Sequence, residues 1–163
     1  MNRIEQLREY IDAGLLSKNH DQDRRCAYIH LYGVSSLCAL LALKRCADVE
    51  LAIIAGMLHD YYTYIKKEEV RHLGMDAINE VIANHAVNGA VFARKILEEL
   101  KLTSDNETDI ICTAIHNHSR KNEVHSEIDE ILKDSDVLQH YLYNPSIKSK
   151  NERMKKALSE LGI

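Results

Sequence analysis

Apolar residues recur at helical spacing along most of the chain. In residues 2–16, Ile4, Leu7, Ile11 and Leu15 fall on one helical face. No stretch alternates apolar and polar residues for long enough to predict a strand. Further helices are predicted over residues 27–46, 49–62, 66–73, 75–83, 85–101, 107–117, 126–141 and 146–161. The pattern therefore predicts an all-α protein.

The composition is that of one globular domain. The chain has 163 residues, of which 45% are hydrophobic and 28% are charged, enough to bury a sizeable core. We expect a single domain over residues 1–163, built as a bundle of about six to eight helices. Its motif-bearing core covers residues 27–145 and a closing helix covers 146–163. One proline and six glycines argue against an all-β fold, which needs many turns.

Charge and cysteine content argue against several classes of protein. The formal net charge of −4 disfavours nonspecific nucleic-acid binding, because phosphate backbones select basic surfaces. The four cysteines occur singly, without a CxxC pair, and the N-terminal residues do not resemble a signal peptide. We therefore expect a cytoplasmic protein with free thiols and no membrane association.

An eight-residue apolar run ends in two residues that can bind metal. Residues 51–58 are apolar, and His59 and Asp60 follow directly. Eight residues are too few to span a bilayer, but they suit a buried helix whose end opens into a site. Burying an imidazole and a carboxylate together is unfavourable without a partner, and a metal ion is a common strong partner. The alternative is a chance adjacency at a helix end.

Other candidate ligands lie near the apolar faces of the remaining helices, about one helix and a loop apart. With the pair above, the candidate metal ligands are His30, His59, Asp60, His85, His118 and Asp136. In a bundle, this spacing lets each helix contribute one side chain to a common centre. Four imidazoles and two carboxylates suit a dinuclear site with ions about 3.5–4 Å apart, bridged by Asp60.

The motif resembles that of a known family. His30, the pair His59-Asp60, and Asp136 look like the H…HD…D signature of the HD-domain metal-dependent phosphohydrolases. Two further segments, one beginning at His85 and one containing His118, resemble those of a bacterial subgroup that hydrolyses symmetric dinucleoside tetraphosphates. The resemblance implies that His30, His59, Asp60 and Asp136 hold one metal ion. It also implies that His85 and His118, with Asp60 as the bridge, hold a second.

The resemblance implies that a metal-activated water cleaves a phosphoester or phosphoanhydride, with His59 and Asp60 at the reaction centre. Imidazole-rich ligation favours iron, zinc, manganese, cobalt or nickel, and the resemblance favours iron, then manganese, as one or two ions. The expected substrate is a nucleotide or similar small molecule, with a symmetric dinucleoside tetraphosphate as first choice. Nucleoside monophosphates, deoxynucleoside triphosphates and alarmone-type nucleotides are the alternatives. We expect no nucleic-acid polymer as partner, and a homodimer is left open.

Two of the ligand positions have a competitor two residues away. Asp134 competes with Asp136, since residues two apart do not share a helix face. The family places its aspartate just before a pair such as Val137-Leu138, which favours Asp136. His116 competes with His118 in the same way. The resemblance favours His118, and His116 is then expected in the core or against a metal ligand.

Four further residues have weaker assignments. His85 alternatively only caps its helix. His140 lies one turn after Asp136 on the same face, where it is expected to support a metal ligand. Arg120 and Lys121 lie shortly after His118 and are candidates for binding substrate phosphate, although charged loop residues are often simply solvated.

The chain departs from the family pattern at two positions. Many members have a lysine three residues after the HD aspartate, where this chain has Thr63. The arginine often found three residues before the first histidine is Ala27 here. Both changes remove positive charge near the phosphate site, so a non-catalytic sensor that binds metal and nucleotide is the second hypothesis. A di-iron oxygenase of the same fold is the third.

Overall fold

The computed structural model describes residues 2–143 and 152–163, and within these residues the chain forms helices and no strand. The all-α prediction is confirmed. Nine α-helices and one short 3-10 helix (Arg71–Leu73) are described. The α-helices are α1 (Arg3–Leu16), α2 (Asp21–Arg45), α3 (Val49–Leu58), α4 (Tyr61–Val70), α5 (Met75–Ala83), α6 (His85–Leu100), α7 (Asp105–Asn117), α8 (Glu127–Tyr143) and α9 (Glu152–Leu161).

The helix ends follow local capping chemistry. The Asp48 side chain accepts a hydrogen bond from the Leu51 N–H and so caps the N-terminus of α3. Helix α2 begins six residues before its predicted start, and Asp21 and Asp23 lie in its first turn, where acidic side chains complement the helix dipole. Asn144-Pro145, where the proline disfavours helix in the preceding residue, and the predicted start of the closing helix at residue 146 lie outside the described residues.

The described helices pack around one continuous core. Helix α2 lies along α3 and α8, α7 packs against α3, α6 and α8, and α9 packs on α8 and α2. Side chains at the centre of this arrangement are fully buried, among them Leu31, Leu41, Ile54, Ile115 and Leu138. The two central helices α2 and α8 both carry candidate metal ligands, so core packing sets the distance between these ligands.

Helix α6 packs through small side chains as well as larger apolar ones. Ala86, Ala90 and Ala93 are buried, together with Ile96 and Leu97. Val87 and Val91 are 50% and 55% exposed. The apolar residues of this helix therefore do not all face the core.

Helix α2 is the one helix in residues 2–143 and 152–163 that is long and apolar enough to cross a membrane by length and composition. Half of its most apolar window is buried inside the protein. The same helix packs along α3 and α8, so its apolar character serves the core of the bundle.

Candidate metal centre

A break between two helices presents the HD pair. The sequence predicted one helix over residues 49–62, but α3 ends at Leu58 and α4 begins at Tyr61. That prediction was wrong because the backbone of Asp60, with φ −116° and ψ 4°, leaves the helical path. Side chains of consecutive helical residues point about 100° apart. The break lets His59 and Asp60 face a common point, with His59 Nε2 3.7 Å from Asp60 Oδ2.

One group of donor atoms surrounds Oδ2 of Asp60. His30 Nε2 lies 3.4 Å from this oxygen and 3.0 Å from His59 Nε2. Asp136 closes the group, with its Oδ1 3.6 Å from His30 Nε2 and 3.9 Å from His59 Nε2. Residues from α2, the α3–α4 junction and α8 thus meet at one place.

A second group surrounds the other oxygen of Asp60. His85 Nε2 and His118 Nε2 lie 3.1 Å apart. They are 3.8 Å and 3.6 Å, respectively, from Asp60 Oδ1. Asp60 therefore offers Oδ2 to one pair of imidazoles and Oδ1 to the other, which is the arrangement of a bridging carboxylate.

Hydrogen bonds at Nδ1 orient three of the four histidines. His59, His85 and His118 each donate from Nδ1 to the carbonyl oxygen three residues earlier. These bonds reach Gly56 O at 2.8 Å, Ile82 O at 2.6 Å and Ile115 O at 2.6 Å. A carbonyl can only accept, so Nδ1 carries the hydrogen in each ring. The lone pair of each Nε2 is therefore directed at the centre, as metal ligation requires.

His30 is oriented by a side chain because it lies inside α2. Its Nδ1 is 2.8 Å from Gln139 Oε1. The Gln139 amide is fixed by a second bond, from its Nε2 to the Ile29 carbonyl at 3.4 Å. Sequence analysis missed Gln139, although its position three residues after Asp136 places both on one face of α8.

The donor set fits a metal ion. Two pairs of Nε2 atoms approach to 3.0 and 3.1 Å with their lone pairs inward, which is repulsive without a cation or proton between them. Oδ1 of Asp60 and Oδ1 of Asp136 are buried and accept no hydrogen bond. Donors about 2.0–2.2 Å from a common ion lie about 2.8–3.6 Å apart at octahedral or tetrahedral angles. The shortest observed separations fall in this range, and the others are slightly longer.

Burial and charge set the protonation states. Burial lowers the pKa of His59 to about 3 and also lowers the pKa of His118. The pKa of Asp60 stays below its usual range, since the neighbouring histidines outweigh the opposing effect of burial. Burial alone would lower the pKa of His30, but Asp60 and Asp136 raise it above its ordinary value. His59 and His118 are thus neutral and Asp60 ionised, the forms that bind metal.

Lys121 and His140 flank Asp136. Lys121 Nζ lies 2.5 Å from Asp136 Oδ2, and His140 Nε2 lies 3.3 Å from Asp136 Oδ1. Burial alone would raise the pKa of Asp136, but these two neighbours hold it well below its usual value. Lys121, predicted to bind substrate, therefore contacts a candidate ligand directly.

The competing residues lie elsewhere. Asp134 accepts from Arg45 at 2.5 Å and from Arg153 at 2.7 Å, so it joins α8 to α2 and α9. His116 Nε2 accepts from the Arg120 guanidinium at 3.2 Å. The structure does not bring Asp134, His116 or Arg120 into either group of donors.

Comparison with known proteins identifies the fold and the family of the chain. A solved structure, that of a predicted HD superfamily hydrolase from an uncultured Thermotogales bacterium, superposes with a TM-score of 0.59 at 21% identity. The match covers 94% of this chain and 84% of the other, and it shows a shared fold. No curated protein matches the sequence. The model of the HD domain family matches residues 27–141, most of the chain. The chain therefore belongs to the HD domain family.

Proposed function

We propose that this HD-domain protein is a metal-dependent phosphohydrolase acting on a nucleotide or similar small molecule. The observation that carries the proposal is the division of Asp60 between two imidazole pairs, with Oδ2 facing His30 and His59 and Oδ1 facing His85 and His118. Two divalent ions held there would supply an activated water and polarise a phosphoryl group. Imidazole-rich ligation favours a transition metal over magnesium or calcium, and the resemblance to metal-dependent phosphohydrolases makes iron the favoured ion and manganese the next.

The burial of the ligands indicates the side from which substrate approaches. His59 and His118 are buried at the back of the centre. Asp60 and His85 are only half-buried, and His140 is exposed. The open side is therefore formed by these last three residues. A phosphate that enters here meets both groups of donors at once.

Lys121 holds one of the candidate ligands in place. Its ammonium group binds Oδ2 of Asp136 and leaves Oδ1 directed at His30. Because this charge is already paired, we propose Lys121 mainly as an orienting group and only secondarily as a phosphate contact. Thr63 and Ala27 stand where the family often has basic residues, so substrate charge is balanced chiefly by the metal ions.

A symmetric dinucleoside tetraphosphate is our first-choice substrate. Nucleoside monophosphates, deoxynucleoside triphosphates and alarmone-type nucleotides are the alternatives. The proposed setting is the cytoplasm, and no nucleic-acid polymer is required. The test begins with metal-free protein loaded anaerobically with Fe²⁺ or Mn²⁺. Release of phosphate or nucleotide is then measured across the four substrate classes.

We expect turnover that requires metal and is lost in His59→Ala. His116→Ala is the matched control, since this histidine is half-buried and bonds to Arg120 outside the centre. Failure of the loaded protein to release product from any substrate would contradict the proposal, as would equal activity in His59→Ala and the control.

A non-catalytic sensor is the second candidate, and Thr63 and Ala27 favour it because the missing charges weaken phosphate activation more than metal binding. Tight nucleotide binding by the metal-loaded protein, with no product released, would support the sensor. Turnover that depends on oxygen would instead support a di-iron oxygenase.

A further inference from the structure

A fifth imidazole stands at the solvent edge of the first group of donors. His140 lies one turn after Asp136 on α8, so both side chains lie on one helix face. Its ring centroid is 4.8 Å from that of His30. The side chain of His140 is 61% exposed, whereas His30 and Asp136 are buried. His140 therefore reaches a buried pair of candidate ligands from the open side.

The distances match those within the candidate site. His140 Nε2 is 3.3 Å from Asp136 Oδ1, compared with 3.6 Å between His30 Nε2 and the same oxygen. The ligand atoms of these three residues all lie within 4.8 Å of one another. Two donors of one ion are expected about 2.8–3.6 Å apart. The separation of His140 from Asp136 lies within this range, as does that of His30 from Asp136.

The surroundings of Asp136 also favour a shared ion. Its Oδ2 is bound by Lys121, while its Oδ1 is buried and accepts no hydrogen bond even though His140 Nε2 is 3.3 Å away. An imidazole beside a buried carboxylate oxygen would normally satisfy it with a directed N–H. A cation between the two atoms satisfies both.

We propose that His140 is a further ligand of the ion held by His30, His59, Asp60 and Asp136, at the coordination position closest to solvent. The proposal rests on the metal centre of the proposed function but not on turnover. Since most of the side chain is in solvent, His140 can leave and return without repacking the core. It therefore fits the coordination position that a substrate oxygen would take.

Cobalt spectroscopy of the protein tests this directly. The parent is His85→Ala, which weakens the second group so that the first is observed alone. Metal-free parent is titrated with Co²⁺ under anaerobic conditions. The same titration is made after adding His140→Cys, His140→Ala or, as control, His116→Cys. The native cysteines are common to all four proteins and cancel in the comparison.

His140→Cys is expected to show a thiolate-to-cobalt charge-transfer band that is absent from the parent and from His116→Cys. His140→Ala is expected to change the visible ligand-field spectrum and to raise the Kd for Co²⁺ by about tenfold or more. No new band together with an unchanged visible spectrum would overturn the proposal. A weaker affinity with unchanged spectra would also overturn it, because His140 would then only support a ligand. Failure of nucleotide hydrolysis leaves this readout intact.

Discussion

Gly56→Ala tests whether the contact between α2 and α3 positions the centre. A Cβ at Gly56 would lie 2.8 Å from Ser35 Cα, 3.0 Å from Ser35 N and 3.1 Å from Cys38 Sγ. Two of these atoms belong to the α2 backbone, so no rotamer change can relieve the contact. The two helices must move apart by several tenths of an ångström.

Two opposing terms set the size of the effect. Alanine is favoured over glycine in a helix by about 0.8–1.0 kcal/mol. Overpacking costs about 1–3 kcal/mol, and a clash with backbone belongs in the upper part of that range. The expected net loss is about 1–2 kcal/mol in the free energy of unfolding, or about 2–8 °C in Tm for a chain of this length. Because Gly56 O holds His59 Nδ1, metal affinity should fall as well.

The assay combines urea unfolding of metal-free protein with metal titration. Ser36→Ala is the matched control, since this residue is exposed on α2 and its hydroxyl bonds only to the carbonyl of Tyr32 in its own helix. A Gly56→Ala protein as stable as the wild type, with the same metal affinity, would refute the claim that this contact positions His59.

Three further outcomes are expected. Asp60→Asn should lower the occupancy of both ions in elemental analysis, whereas His85→Ala should remove only the ion beside His118; equal losses would argue against the bridge. A chelator should lower Tm, because bound metal at a hundred times its Kd adds about 2.7 kcal/mol to the free energy of unfolding. For a chain of this length, that corresponds to about 5–10 °C in Tm, and an unchanged Tm would contradict the expectation. Hydrogen bonds from Arg3 and from Ser104 lower the pKa of Glu107 from 4.5 to about 2. The stability that these bonds give the ionised carboxylate is complete above the unfolded pKa and is lost as pH falls toward the folded one. Wild type and Glu107→Gln should therefore differ in urea unfolding at about pH 6 and converge at about pH 2; a difference that is constant with pH would count against the ion pair.

The sequence predicted the helices well where one face is apolar, and it failed where the apolar character is continuous. Helix α5 has the predicted bounds, Met75–Ala83. The sequence indicated that the buried helix ends near His59 and Asp60, but it extended the helix to residue 62, since nearly all of α3 is apolar. Periodicity gives no boundary when every face of a helix is buried.

For the site, the sequence predicted the metal ligands but not the residues that orient them. The motif indicated six ligands, and the structure brings all six into two adjoining groups. The contact of Gln139 with His30 spans 109 residues in sequence, and that of Lys121 with Asp136 spans 15. Such contacts depend on how α2, α7 and α8 pack, which no local pattern encodes. The division of the two Asp60 oxygens has the same origin, because it follows from the direction in which α4 leaves α3.

The positions of the histidines explain how a helical bundle orients a metal centre with few extra residues. The last four carbonyls of a helix have no N–H partner within that helix. Gly56, Ile82 and Ile115 all lie in such last turns, of α3, α5 and α7. A histidine that follows three residues later finds a carbonyl with a lone pair to spare for Nδ1, and its Nε2 is then directed away from that helix and toward the centre. His30 lies inside α2, where carbonyls are already paired, and so it alone needs a side chain from another helix. The placement of His59, His85 and His118 within two residues of a helix end is therefore a consequence of this chemistry as well as of topology.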